Sequence, residues 1–301
     1  MANQTMTARQ IVPRRKPARR RLSAGTRSLI WTVSLIAILG IVLYPLGWMV
    51  GSSFKAQHEV LNNFSMFPKD FTPGNYPDGW NHLDVSFGQF FINSTLLAFT
   101  CVIGNAVSCL LAAYAFARLK FPLRGMWFGI MIATLLLPSH VLIIPQFILF
   151  RTFNWVGGSF PYTPLVVPHL LATDAFFVFL MVQFMRGIPR DLDQAAKMDG
   201  CTAFGVFRHV ILPLSKPALI TTAIFTFIWT WNDFFRQLVY LSDLDRQTVP
   251  VALRMFIDST GQSSVGPMFS MAVLSLLPIF LFFVAFQRLL VEGINTAGLK
   301  G

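Results

Sequence analysis

Six stretches of this chain are apolar for long enough to cross a lipid bilayer, and no other feature restricts its fold so severely. They run over residues 29–50, 90–116, 126–150, 162–185, 217–235 and 268–286. A helix rising about 1.5 Å per residue needs about 20 residues to span about 30 Å of hydrocarbon. Backbone polar groups find no water there, so each run is predicted to be helical. The last two runs are short but are bounded by polar loops. Composition agrees: 54% of the 301 residues are hydrophobic and only 12% charged, against about 25% charged in soluble domains. Too little polar surface remains to face water everywhere, and the 31 phenylalanines suit lipid contact and helix packing.

Lysine and arginine set the orientation. The net charge is +11, and much of it lies in an arm containing Arg9, Arg14, Arg15, Lys16, Arg19, Arg20, Arg21 and Arg27. Alternate loops place eighteen basic residues on the side of this arm and six on the other. The positive-inside bias then puts both termini in the cytoplasm. The arm reads as a topology signal beside an anionic leaflet; no aromatic-interleaved basic surface follows it, which speaks against nucleic acid. The 22-residue first run exceeds the apolar core of about 7–15 residues in a cleaved signal peptide, so it reads as a retained span. Cys101, Cys109 and Cys201 show neither disulfide nor zinc spacing. The predicted organisation is a basic cytoplasmic arm (1–28), a six-helix membrane domain (29–290) and a cytoplasmic tail (291–301). The outer segments 51–89 and 236–267 read as ordered but irregular, with a short strand or helix over 249–258.

The most informative stretch is the longest inner loop, whose core is 188–213. Asp191 can cap a helix start, with Gln194 three residues later completing a capping box. Leu192, Ala195, Ala196 and Asp199 share one helical face, and Gly200 falls where a helix ends. A second short helix carries Phe204, Phe207 and Ile211 on one face and stops at Pro213. Two adjacent alanines allow a helix to sit deep in a groove on another protein. The residues alone leave open whether this helix docks on a partner or lies on the chain's own membrane domain.

The loop resembles the Glu-Ala-Ala loop of binding-protein-dependent ABC importers: Gln194-Ala195-Ala196, three residues, Gly200, then Ile211-Leu212-Pro213. The stretch Ala112-Ala113-Tyr114-Ala115-Phe116-Ala117-Arg118-Leu119 is similar to that of the sugar-importing branch. So are Asn93-Ser94, Trp231-Asn232-Asp233-Phe234 and the C-terminus from Gln287 to Gly301. The likeness is greatest to maltose-type systems. It implies an all-α integral membrane permease of six spans in a bacterial inner membrane, with Asp191, Gln194, Ala195, Ala196, Asp199, Gly200 and Pro213 in the element that couples to an ATPase. It implies two ATP-binding cassette subunits carrying ATP and magnesium, a second homologous permease, an extracytoplasmic solute-binding protein and a sugar cargo. It also implies that the 236–267 loop meets the binding protein and that the tail touches the ATPases. The family's leading glutamate is Gln194 here, which turns a charge-assisted contact with an ATPase arginine into a neutral one; Asp191 or Asp193 could stand in.

The chain has no Gly-Lys dipeptide and hence no phosphate-cradling loop of the P-loop kind, nor any constellation of catalytic or metal-ligating residues. It reads as a non-enzyme whose ATP hydrolysis belongs to a partner. Ionisable groups inside lipid face an interior or an aqueous path. Asp174 lies within the fourth run and Asp233 at the end of the fifth, where it reaches the interface beside Arg236. Candidate substrate-path residues are Asn93, Asp174, Trp229, Trp231 and Asn232, since amides and aromatic faces suit a sugar; the span-five aromatics also read as packing residues. Pro138, Pro145 and Pro278 are predicted to kink their helices. The competing reading is a proton-coupled secondary transporter using Asp174 and Asp233, although no internal repeat of the kind common in such carriers is visible.

Overall fold

The computed structural model describes residues 24–257 and 264–298, with side chains described over 28–257 and 264–287. The basic arm up to residue 23 and the last three residues lie outside the described residues. Among the described residues the chain is helical, with one isolated bridge between Lys55 and Phe71. It divides into two units, residues 1–47 and 48–301.

The first unit holds most of α1 (Ala24–Ser52), apolar around its whole circumference as a membrane span requires. The second unit begins with its last turn. There α2 (Gln57–Asn62) and α3 (Asn75–Trp80) fold the 51–89 segment into a compact knot. Lys55 is fully buried, and its Nζ donates to the carbonyls of Asn63 and Ser65. Asn75 Nδ2 donates to Ser53 O and Lys55 O at 3.0 and 2.8 Å. These bonds satisfy buried polar groups that would otherwise oppose folding.

The axis of the second unit is α4 (Phe87–Arg118), 32 residues and about 48 Å long. One face is buried through Phe90, Leu97, Cys101, Asn105, Cys109, Ala113 and Ala117. The opposite face leaves Ile92, Leu96, Ile103, Val107 and Leu111 exposed, an apolar surface suited to lipid or another membrane subunit. Small residues on the buried face let other helices approach. A Cβ at Gly104 would stand 3.0 Å from Leu170 Cδ2, so a side chain there would have to displace the end of that leucine.

The third apolar run is broken. Helices α5 (Arg124–Thr134) and α6 (Ser139–Thr152) meet at 103°, because the residue before Pro138 cannot stay helical. Pro145 sits inside α6 without interrupting it. The fourth run, predicted continuous, is α7 (Thr163–Leu170) followed by α8 (Ala175–Arg186); at the break Ala172 has φ +55°. The loop that follows is made of α9 (Arg190–Met198), α10 (Ala203–Val206), a π-helical turn over Phe207–Ile211 and α11 (Leu212–Leu214). The segment Ala203–Leu214 then bends by 70° into α12 (Lys216–Asn232), so the loop's second helix runs past Pro213 to the bend at Ser215. Helices α13 (Phe235–Tyr240) and α14 (Val249–Met255) lie in the 236–267 segment and its approach; α14 settles the strand-or-helix alternative as helix. Helix α15 (Val265–Gly298) runs through Pro278 and well past the apolar limit at 286. Four stretches, Ser28–Ser52, Phe87–Arg118, Thr163–Arg186 and Val265–Gln287, are each long and apolar enough to cross a bilayer, and the two bent pairs bring the count to six if each is one span.

Three hydrophobic clusters hold α4 in place. One joins Ala113 and Ala117 to Phe177, Met181, Phe207 and Ile211; a second joins Phe90 to Phe227, Trp231, Phe256 and Met271; a third joins Leu97 and Cys101 to Phe150, Leu165 and Tyr240. Between the first two, Asn105 Nδ2 donates to Thr226 Oγ1 of α12 at 2.8 Å.

Candidate functional site

The 188–213 loop is built around α9. Its first residue is Arg190, preceded by Pro189 in an extended conformation, and no side chain caps its start. The capping box predicted from Asp191 and Gln194 is therefore absent. Pro189 supplies the turn instead, and Asp191 and Gln194 are already inside the helix, exposed. The other end is as expected. Gly200 has φ +83°, its N–H donates to Lys197 O at 3.0 Å, and the Cys201 N–H donates to Ala196 O at 2.9 Å. This pair of bonds is the Schellman closure of a helix, which needs a residue tolerant of a left-handed backbone. Thr202 then caps α10, its Oγ1 accepting from the Gly205 N–H at 3.3 Å.

Helix α9 packs one narrow face on the chain and leaves the rest exposed, Arg190, Asp191, Gln194, Lys197 and Asp199 included. Its inner face carries Asp193, buried, and Ala196, half-buried against the first hydrophobic cluster. Its outer face leaves Leu192 43% and Met198 89% exposed, together with Ala195 and Asp199. Of the two adjacent alanines only Ala195 faces outward; Ala196 packs on the chain itself. In the following helix Phe207 and Ile211 are buried but Phe204 is 66% exposed, so the three do not share a face as predicted. The π-helical turn that follows Val206 shifts the register between Phe204 and Ile211.

The Asp193 carboxylate does not face outward, as a stand-in for the missing glutamate would. Its Oδ2 lies 3.4 Å from Arg118 Nε, and both side chains are buried. Arg118 Nη2 also donates to Met185 O and Ile188 O at 2.9 and 2.8 Å. One turn earlier on α4, the Tyr114 hydroxyl donates to Ala203 O at 2.7 Å. Sequence reasoning missed both residues as functional. Their signal was a tyrosine and an arginine four apart at the end of an apolar run, hence on one helical face.

The candidate path residues are dispersed. Asp174 leads α8 at the break in the fourth span, with Oδ2 2.8 Å from His169 Nδ1. Asp233 follows α12 and pairs with Arg236 Nε at 2.6 Å, beside Arg236 as the sequence suggested. His169, Thr173, Asp233, Arg236, Gln146 and Tyr240 wall a narrow polar cleft between α6, α7, α12 and α13. Asn93 is buried elsewhere, its Nδ2 donating to the carbonyls of Asp245 and Gln247 at 2.8 Å each. Trp231 is buried, stacks on Phe227 and donates from Nε1 to Ser275 O at 3.1 Å. Trp229 is about half exposed and packs on Phe176 and Phe177. Asn232 is exposed and bonds only to Ile228 O of its own helix. The structure thus brings Asp174 and Asp233 toward one cleft and leaves Asn93 and Trp231 in packing and pinning roles.

The fold defines an all-helical membrane bundle of broken and continuous apolar helices with a loop tethered to its central helix. The particular family follows from sequence: residues 104–296 match the binding-protein-dependent transport system inner membrane component, and the chain belongs to that family, as a multi-pass protein of the inner membrane. It is 31% identical to a probable ABC transporter permease protein, YurM, of Bacillus subtilis, over 94% of this chain and 91% of that protein. It is 32% identical to the trehalose transport system permease protein SugB of Mycobacterium tuberculosis, over 91% and 98%. Its fold matches a chain of a bacterial ABC transporter that imports the acidic polysaccharide alginate, with TM-score 0.75, 20% identity and coverage of 90% and 99%.

Proposed function

We propose that this chain is the permease subunit of an ATP-driven, binding-protein-dependent sugar importer, docking on an ATPase subunit through α9. The observation that carries the docking is that Asp193 and Ala196 turn inward, onto Arg118 and the first cluster, while Leu192, Ala195 and Met198 stand exposed among Asp191, Gln194 and Asp199. Exposed apolar side chains set among polar ones suit a groove on another protein. The sugar class rests on relatives named for trehalose, arabinooligosaccharide and diacetylchitobiose transport. In this reading two ATPase subunits hold ATP and magnesium, and a second, homologous permease completes the pathway. An extracytoplasmic binding protein delivers the sugar, and closure of the ATPases drives alternating access through the six spans.

The eighteen-to-six excess of basic residues supports placing the α9 loop and both termini in the cytoplasm. A reporter fused at Cys201 should read cytoplasmic and one at Asn75 external; the reverse pattern removes α9 from any contact with ATP-hydrolysing partners. The secondary-carrier reading is weaker, since Asp174 is engaged by His169 and Asp233 by Arg236, and such a carrier needs no docking helix. The direct test is Ala195→Trp, which places a large ring on the outer face and leaves the chain's own packing untouched. The variant should insert normally and lose the co-purifying ATPase subunits together with transport. Undiminished ATPase retention sinks the proposal that α9 is the docking element.

A further inference from the structure

We infer that Arg118, with Tyr114 one turn before it, is the joint through which movement of the α9 loop is transmitted to the transmembrane bundle. The inference rests on the docking reading of α9 but concerns residues that take no part in the docking face. Arg118 is 4% exposed along its side chain, and one guanidinium reaches three separate pieces of chain. Its Nη2 holds the carbonyl of Met185, in the last turn of α8, and that of Ile188, in the turn leading to α9. Its Nε faces Asp193, on α9 itself. Tyr114 takes the other arm of the loop, holding Ala203 O at the start of α10 while its ring packs on Phe207. One face of a single helix therefore grips both arms of the loop.

The chemistry of the grip decides how motion passes. Packed methyl groups can slide past one another at little cost. A buried guanidinium hydrogen-bonded to two carbonyls cannot release them without stranding buried polar groups, and its 3.4 Å pairing with the Asp193 carboxylate is an ion pair without a hydrogen bond, so parting the two leaves buried charge uncompensated. The two carbonyls also lie at or just beyond a helix C-terminus, where a fixed cation is favoured. A force on the outer face of α9 therefore moves Asp193, then Arg118, and with it α4. Helix α4 packs against α7, α8 and α12, is tied to α12 through Asn105, and at its far end holds the Asp245–Gln247 turn through Asn93. It is thus the element best placed to carry displacement from the loop to the opposite end of the bundle. Its alternatives are weaker, because the π-helical turn after α10 and the bend at Ser215 separate the loop's second arm from α12.

The test uses the whole complex in liposomes and reads three quantities: ATPase subunits retained, ATP turned over, and solute imported per ATP. Arg118→Gln should retain the ATPases and hydrolyse ATP, with solute per ATP reduced about tenfold or more. Arg118→Lys, which keeps charge and donors, should recover part of that ratio. Tyr114→Phe keeps the ring and deletes only the bond to Ala203, and should lower the ratio by a smaller factor. Adding Asp193→Asn to Arg118→Gln should lower it little further, because the two groups act as one unit. A wild-type ratio in both Tyr114→Phe and Arg118→Lys overturns the inference, however Arg118→Gln behaves. Loss of ATPase retention in Arg118→Gln also overturns it, by making Arg118 a builder of the docking surface instead of a transmitter. Failure of the wild-type chain to retain any ATPase would refute the docking reading itself, and this inference with it.

Discussion

Replacing Gly200 with alanine perturbs the loop around α9 at one backbone torsion and nothing else. Gly200 has φ +83°, and an added Cβ meets no heavy atom within 4 Å, so steric clash contributes nothing. What remains is the cost of a left-handed backbone at a residue with a side chain, about 1–2 kcal/mol. That amount shifts the equilibrium between closed and frayed helix end by a factor of about 5–30. The two bonds lost on fraying are Gly200 N–H to Lys197 O and Cys201 N–H to Ala196 O, so amide hydrogen exchange in a peptide spanning 196–203 reports the opening directly. Exchange there should accelerate by that factor in Gly200→Ala, with peptides from α4 and α12 unchanged. Gly200→Asn should fall between wild type and alanine, since asparagine tolerates this region better. Alanine exchanging at the wild-type rate, or asparagine faster than alanine, would show that left-handed strain does not govern this helix end.

Two further outcomes are expected. Gln194 is exposed on α9 and lies beyond its first turn, so Gln194→Glu gains little from the helix dipole; against a basic ATPase cleft it should still preserve or tighten ATPase retention, while Gln194→Lys loosens it, each by the modest energy of an exposed pair, about 0.2–1 kcal/mol. Equal retention of the two variants across a salt series would remove the charged cleft from the account. In the outer knot, the Lys69 amide holds the Glu59 carboxyl below its ordinary value of 4.5, with help from the Asp70 amide, Asn63 and Lys55. A lowered pKa in the fold adds stability that is complete above about pH 4.5 and is lost as pH falls through the lowered value. Glu59→Gln should therefore melt below wild type at pH 7, and the difference should shrink in acid; a pH-independent gap contradicts this.

The sequence by itself determined that the chain is a helical membrane protein and where its apolar runs lie, because lipid accepts only long apolar segments with internally paired backbones. It also located the end of α9, since Gly200 is the residue type that a left-handed helix stop requires. Local pattern went no further. The break between α7 and α8 carries no proline at its centre; Ala172 takes a left-handed conformation there, with the Thr173 N–H turned back to Pro168 O. The start of α9 looked like a capping box at Asp191 and Gln194, but Pro189 and the tether from Arg118 decide where the helix begins. Asp193 and Ala196 fit an outward face as well as an inward one by periodicity. Only the approach of Arg118, some 75 positions earlier in the chain, turned Asp193 inward and thereby turned Leu192, Ala195 and Met198 out. Partners so far apart in sequence leave no local pattern, and a buried charge takes the direction in which its counter-charge stands.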